Sequence, residues 1–105
     1  MNIDIIKDLC KDETIEVSQH FAERCRKRGI TYKEAKEAIL SGKIIEEYPD
    51  DYPFESCLIL GVALNLKILH VVAGIGNNKL WLITVYEPDR NRWNSTFTER
   101  RTNNE

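Results

Sequence analysis

Between residues 43 and 88 the chain passes through four short apolar segments, Lys43–Tyr48, Ser56–Ala63, Leu66–Ala73 and Leu80–Tyr86. Each has the length of a strand and each is bounded by turn residues. Pro49, Asp50, Asp51 and Pro53 fill the first gap, Asn65 marks the second, and Gly74-Ile75-Gly76-Asn77-Asn78 fills the third. Pro88 closes the last segment. Gaps this short admit hairpins but not the long crossover of a parallel pair, so the pairing is read as antiparallel. Gly74-x-Gly76 lacks the third glycine of a dinucleotide loop and joins two strands, which makes it a hairpin turn.

A sheet needs a cover, and the residues before it supply one. Ile3, Ile6 and Cys10 fall on one helical stripe, with Ile5 and Leu9 beside it, which predicts a short helix over about 3–11. Thr14-Ile15-Glu16-Val17 alternates and is β-branched, as a short strand would be. Ser18 is an N-cap for a helix that turns Phe21, Ala22 and Cys25 inward and stops at Gly29. Thr31-x-x-Glu34 is a capping box, because each side chain satisfies the other's free backbone N–H. Tyr32, Ala35, Ala38 and Ile39 form that helix's apolar stripe, and Gly42 ends it. The predicted class is α+β, with helices packed on one face of an antiparallel sheet of about four to five strands. The opposite face is left for a site. The stretch 91–105 is polar except for Trp93 and Phe97, which are expected to dock while 102–105 fray.

Length and composition narrow the function. The 105 residues fit one domain, 1–105, with its core at about 14–101. The three cysteines, Cys10, Cys25 and Cys57, are odd in number and follow no metal or disulfide spacing. With two histidines and no C-x-x-C, neither a metal nor another cofactor is expected. The start lacks a basic region before an apolar stretch, and Lys67, Asn65 or a glycine breaks the longest apolar runs. A cytoplasmic protein without a membrane partner is the expectation. A net charge of −2 is unlike the basic balance of most nucleic-acid binders. The charges are unevenly placed, however. Arg24-Cys-Arg-Lys-Arg28 and the group Arg90, Arg92, Arg100 and Arg101 are cationic, whereas Glu46, Glu47, Asp50, Asp51 and Glu55 gather elsewhere.

Two histidines stand in contexts with chemical meaning. His20 and Arg24 are four apart on a helix and share a face, with Lys27 and Arg28 one turn further. An imidazole beside guanidinium groups suits RNA cleavage by the substrate's own 2′-hydroxyl. One group takes a proton, another gives one, and cations hold the phosphoryl charge. The same spacing also describes a plain solvated helix face. His70 shares one strand face with Ile68 and Val72, while Thr84 and Tyr86 share a face with Leu82. If those faces coincide, His70, Thr84 and Tyr86 line one surface. The alternative is a core histidine held by a threonine or tyrosine. Arg100 and Arg101 either fold back onto phosphate or stay exposed. Trp93 and Tyr86 offer rings for base stacking, or Trp93 caps the end of the sheet.

The run from His20 to Ile30, the pieces Ile44–Tyr48, Leu69–Val72 and Ile83–Asp89, and then Trp93 and Arg100, resemble a bacterial family known as domain of unknown function 4258. The resemblance spans roughly residues 15–101. That family is similar to the RelE/barnase-like fold group of toxin ribonucleases. The resemblance implies a curved RelE-like sheet and metal-independent endoribonuclease activity. It implies RNA, on or off the ribosome, as substrate and an antitoxin protein as partner. It carries the recurrent polar positions onto His20, Arg24, Arg28, His70, Thr84, Tyr86 and Arg100. On this reading His20, His70 and Tyr86 are the catalytic candidates, and Arg24, Arg28, Thr84 and Arg100 bind RNA phosphate. The alternative from another class is a non-catalytic RelE-like module that binds protein or RNA.

Overall fold

The computed structural model describes residues 1–102. The chain runs α1 (Ile3–Leu9), β1 (Ile15–Val17), α2 (Gln19–Arg28), α3 (Tyr32–Ser41), β2 (Lys43–Tyr48), β3 (Ser56–Val62), β4 (Ile68–Gly76) and β5 (Lys79–Tyr86). Helix boundaries follow the capping chemistry. The Ser18 hydroxyl accepts from the Phe21 N–H to start α2, and Gly29, at φ 65°, ends it in the left-handed region. Thr31 and Glu34 make both bonds of the capping box at the start of α3. The first helix stops at Leu9, short of the expected residue 11, because the Cys10 N–H turns back onto Lys7. Frayed ends were expected at 102–105; residues 103–105 lie outside the described residues.

The five strands form one sheet in the order β1-β5-β4-β3-β2. The class is α+β as read from the sequence, and β2 to β5 are antiparallel neighbours. The sheet is mixed, because β1 pairs with β5 in parallel. The chain between those two strands is most of the protein, so the short-gap argument for hairpins does not reach this pair. The third turn is tighter than expected. Gly74 and Gly76 belong to β4, and Asn77-Asn78 alone make the hairpin, at φ 54° and 59°. Positive φ at both central residues matches the twist of the flanking strands. Gly76 stays a glycine because the Phe54 ring lies 2.0 Å from where its Cβ would stand. Leu66, expected in a strand, sits in the turn at φ 72°.

The helices cover one face of the sheet. Ile6, Phe21, Ile30, Ala35, Ala38 and Ile39 meet Ile59, Leu69, Val71, Leu80, Leu82 and Val85 there. Ala22, expected to face inward, is exposed, and Phe21 carries the burial of its turn. Cys10 and Cys57 are buried free thiols. Desolvation pushes them up to about 11 and about 12, which keeps both protonated. The opposite face holds a smaller cluster of Leu58, Trp93 and Phe97, with Ile45, Tyr48, Leu60, Val72 and Tyr86 against it. No helix among the described residues is long and apolar enough to cross a membrane.

The backbones of α3 and β3 approach closely at Gly61. A Cβ on Gly61 would lie 1.7 Å from the Ala38 carbonyl oxygen. Backbone cannot yield as a flexible side chain can, so overpacking is expensive here. Gly61→Ala is expected to lose about 3 kcal/mol of stability in urea unfolding. A midpoint unchanged from wild type would contradict this packing.

Candidate active cleft

Two irregularities in the sheet set which side chains reach the face away from the helices. In β2 the register shifts between Ile44 and Glu46. In the β4–β5 pair it shifts so that Val72 faces Thr84 and Ala73 faces Leu82. An extra residue in one strand reverses the alternation beyond it. Ile44 and Leu82 therefore face the helices, while Glu46, Tyr48, Thr84 and Tyr86 face the other way. Leu82 was expected to share the face of Thr84 and Tyr86; the bulge at Ile83 separates them. The expected face shared by His70, Thr84 and Tyr86 does form, since His70 pairs with Tyr86 and Val72 with Thr84.

A strap, residues 93–100, closes over that face. Trp93 and Phe97 are buried against the sheet, and a β-bridge joins Trp93 to Arg100. Asn94 shapes the turn between them, its side-chain oxygen accepting from the Thr98 N–H at 2.9 Å. Beneath the strap His70 is fully buried. Its Nε2 lies 2.8 Å from the Phe97 carbonyl oxygen and its Nδ1 lies 3.2 Å from the Tyr86 hydroxyl. Tyr86 and Trp93 both meet the imidazole edge to face, at centroid distances of 5.2 and 4.5 Å. Burial holds His70 below the ordinary imidazole value. The Phe97 carbonyl and the Glu46 charge oppose that shift, and Arg100 adds to it.

Arg100 ties the strap to β2. Its guanidinium donates to both carboxylate oxygens of Glu46, at 2.9 and 3.1 Å, and lies 4.8 Å from the centre of the Trp93 ring. Tyr48 also donates to Glu46, at 2.6 Å. The Arg100 hydrogen bond keeps the Glu46 carboxyl below its usual range. Desolvation and Glu46 together push the Tyr48 phenol up to about 12.

At the end of β5 lies an open cleft of about 680 Å³, lined by Arg28, Tyr86, Glu87, Asp89, Arg92, Trp93 and Arg100. Arg28 reaches in from the end of α2, donates to the Val85 carbonyl at 2.7 Å and lies 5.9 Å from the Tyr86 ring centre. Arg92 makes no side-chain hydrogen bond or ion pair among the described residues and is exposed. Three arginines face two carboxylates in this cleft, and Arg100 already holds Glu46. The arrangement suits an anion beside a phenol.

Of the residues singled out by sequence, Arg28, Tyr86 and Arg100 line the cleft, and His70 lies behind Tyr86. Thr84 is on the same sheet face, one pair away. His20 and Arg24 are on α2 but do not line the cleft. His20 is eight residues before Arg28, about 12 Å along the helix axis. Trp93 is buried with Arg100 over its ring, which makes it the cap of the sheet and not an open stacking platform. Sequence reading did not place Arg92, Glu87 or Asp89 in the cleft. The chain reversal after Pro88, where the Arg92 and Trp93 N–H groups turn back onto the Asp89 carbonyl, brings them there. Among the described residues no group of three or more His, Cys, Asp or Glu is placed to hold a metal ion.

These features define an α+β protein with an arginine-lined cleft at the end of its sheet. The chain belongs to the family described as Domain of unknown function (DUF4258), whose model matches residues 17–87. Comparison with curated proteins and with solved structures gives no match.

Two expectations follow. Trp93→Ala removes packing of the kind worth about 3–5 kcal/mol, enough to lift the strap while the helix-side core stays folded. His70 should then titrate nearer the free imidazole value of about 6.5, followed by NMR. An unchanged titration would contradict burial by the strap. The second concerns pH. His70 is depressed when folded, so the unfolded chain binds its proton first. The stability it contributes is present above about pH 6.5 and is lost as pH falls toward the folded value. The urea midpoint should fall between pH 7 and 5.5 in wild type and fall less in His70→Asn. Glu46, also depressed, acts in a separate window, below about pH 4.3.

Proposed function

We propose that this protein is a metal-independent endoribonuclease acting through the cleft at the end of β5. One observation carries the reading: Arg28, Arg92 and Arg100 converge around the partly exposed Tyr86. RNA supplies its own nucleophile, the 2′-hydroxyl, so the protein must hold the phosphate, move a proton and neutralise growing charge. Guanidinium groups serve the first and last tasks through bidentate bonds to phosphoryl oxygens. The Tyr86 hydroxyl, on a residue that lines the cleft, takes the proton-moving role in this proposal. His20 and Arg24 continue from Arg28 along α2, and in this proposal they contact the approaching strand and not the scissile phosphate. Thr84 supports the face behind Tyr86.

Kinship with the RelE/barnase-like ribonucleases, a toxin role and a silencing antitoxin partner belong to the same proposal and rest on the resemblance of the sequence. A toxin arrests growth when produced alone and is harmless when its antitoxin is co-produced.

One observation favours a second reading, a non-catalytic module that binds RNA or protein. Neither imidazole stands free in the cleft, since His70 is sealed and His20 lies elsewhere. One assay separates the two. Purified protein is incubated in EDTA with single-stranded and structured RNA, with and without ribosomes. The ribonuclease reading expects products ending in 2′,3′-cyclic phosphate. It also expects a loss of about 10²–10³-fold in rate on Arg28→Ala, since the residue would stabilise transition-state charge. His20→Ala should weaken binding more than turnover. RNA binding without cleavage by folded wild type would leave the binding module.

A further inference from the structure

We infer that Tyr86 and His70 form a proton relay, in which Tyr86 takes the proton of the substrate's 2′-hydroxyl while passing its own proton to His70 Nδ1. The inference rests on the ribonuclease reading and assigns the two residues different work. Tyr86 is the catalytic residue and His70 a positioning residue that never touches RNA.

The hydrogen-bond inventory fixes the direction of the relay. A backbone carbonyl only accepts, so the 2.8 Å contact between His70 Nε2 and Phe97 O requires the proton on Nε2. Burial keeps the ring neutral, so Nδ1 carries a lone pair. The Tyr86 hydroxyl, 3.2 Å away, must then be the donor to Nδ1. This is the polarity a base needs. A phenol accepts a proton usefully only while it loses its own, and Nδ1 stands ready to receive that one. The Tyr86 oxygen has no other protein partner among the described residues, which leaves its lone pairs for the cleft.

The surroundings suit brief formation of an imidazolium. Phe97 O and the Glu46 carboxylate favour the charged ring. Burial and Arg100, from the strap, oppose it, so the proton does not rest there. From β2, Tyr48 is occupied with Glu46. Trp93 and Phe97 seal the ring, and its acquired proton can leave only through Tyr86. Arg28, over the Tyr86 ring, supports negative charge on the phenol oxygen.

The step balances. The 2′-oxygen bonds to phosphorus as its proton moves to the Tyr86 oxygen, and the Tyr86 proton moves to His70 Nδ1. The bond from phosphorus to the 5′-oxygen breaks, and that oxygen draws a proton from water. The hydroxide so formed is neutralised when His70 returns its proton through Tyr86. The products are a 2′,3′-cyclic phosphate and a 5′-hydroxyl.

The test uses the whole protein and a short single-stranded RNA under single-turnover conditions across pH. His70→Asn keeps an oxygen near the Nδ1 position and so still accepts from Tyr86, but it cannot take the proton. It should lose about 10²–10⁴-fold in rate with unchanged RNA affinity, and lose the acidic limb of the pH profile. Tyr86→Phe should lose a similar factor. ¹⁵N NMR of the wild-type imidazole should show the proton on Nε2 and a perturbed Nδ1 that relaxes in Tyr86→Phe. Cleavage by His70→Asn at the wild-type rate, or a proton on Nδ1, would overturn the relay and leave the ribonuclease standing. No cleavage by wild type would remove the ribonuclease reading and the relay together. Should His70→Asn not fold, the wild-type ¹⁵N spectrum decides: a proton on Nε2 with Nδ1 perturbed by the Tyr86 hydroxyl supports the relay, and a proton on Nδ1 overturns it.

Discussion

The imidazole of His70 is held from two sides at once, by the carbonyl of Phe97 and by the hydroxyl of Tyr86. A buried polar ring must find partners or cost the fold dearly, and here one partner belongs to the strap and the other to the sheet. The histidine therefore joins the strap to the sheet from beneath. Docking of Trp93 and Phe97 supplies the apolar area, and the Arg100–Glu46 pair closes the far edge. Were His70 apolar, the Tyr86 hydroxyl and the Phe97 carbonyl would each lose the partner they have beneath the strap. The cleft exists where this strap leaves the sheet, because Arg92, Trp93 and Arg100 are strap residues or flank it.

Charge is partitioned along the same line. The chain is slightly acidic, yet three arginines, Arg28, Arg92 and Arg100, meet in the cleft beside Glu87 and Asp89, while other acids are paired away from it. Glu46 receives Arg100, Glu47 receives the N-terminal ammonium, and Glu34 receives Asn65 and Lys67 at the capping box. Glu34, held down to about 2 by the Thr31 backbone and these partners, stays ionised and ties the β3–β4 turn to α3. The Glu47 and Glu34 pairs sit in the scaffold, and the Glu46–Arg100 pair borders the cleft. Arg28 and Arg92 do not share in them and remain turned to the cleft.

Local signals in the sequence account for much of the fold. Ser18, Gly29 and the Thr31–Glu34 box mark helix ends because capping is decided by neighbours within a turn. The alternation in β4 puts His70 and Val72 on one face, as read, and that face lies away from the helices, which Leu69 and Val71 meet. The parallel pairing of β1 was not legible, since three residues cannot announce a partner more than sixty positions away. Nor were the two bulges, because one extra residue per strand appears only against the partner's register. Those bulges carry much of the site, for they turn Glu46 and Tyr86 to the strap face. Arg100 and Tyr86 could be singled out by type, whereas Arg92 and Asp89 needed the reversal after Pro88.

The central claim is that RNA is engaged in the cleft formed by Arg28, Tyr86, Arg92 and Arg100. The most direct measurement is NMR titration of the labelled protein with a short single strand carrying 2′-O-methyl groups, which cannot be cleaved by 2′-hydroxyl attack. The account predicts that arginine side-chain signals of Arg28 and Arg92 and ring signals of Tyr86 move together and saturate, with binding that weakens steeply as salt is raised. Signals that move only along the acidic loop at 49–55, or none that move at low salt, would contradict it.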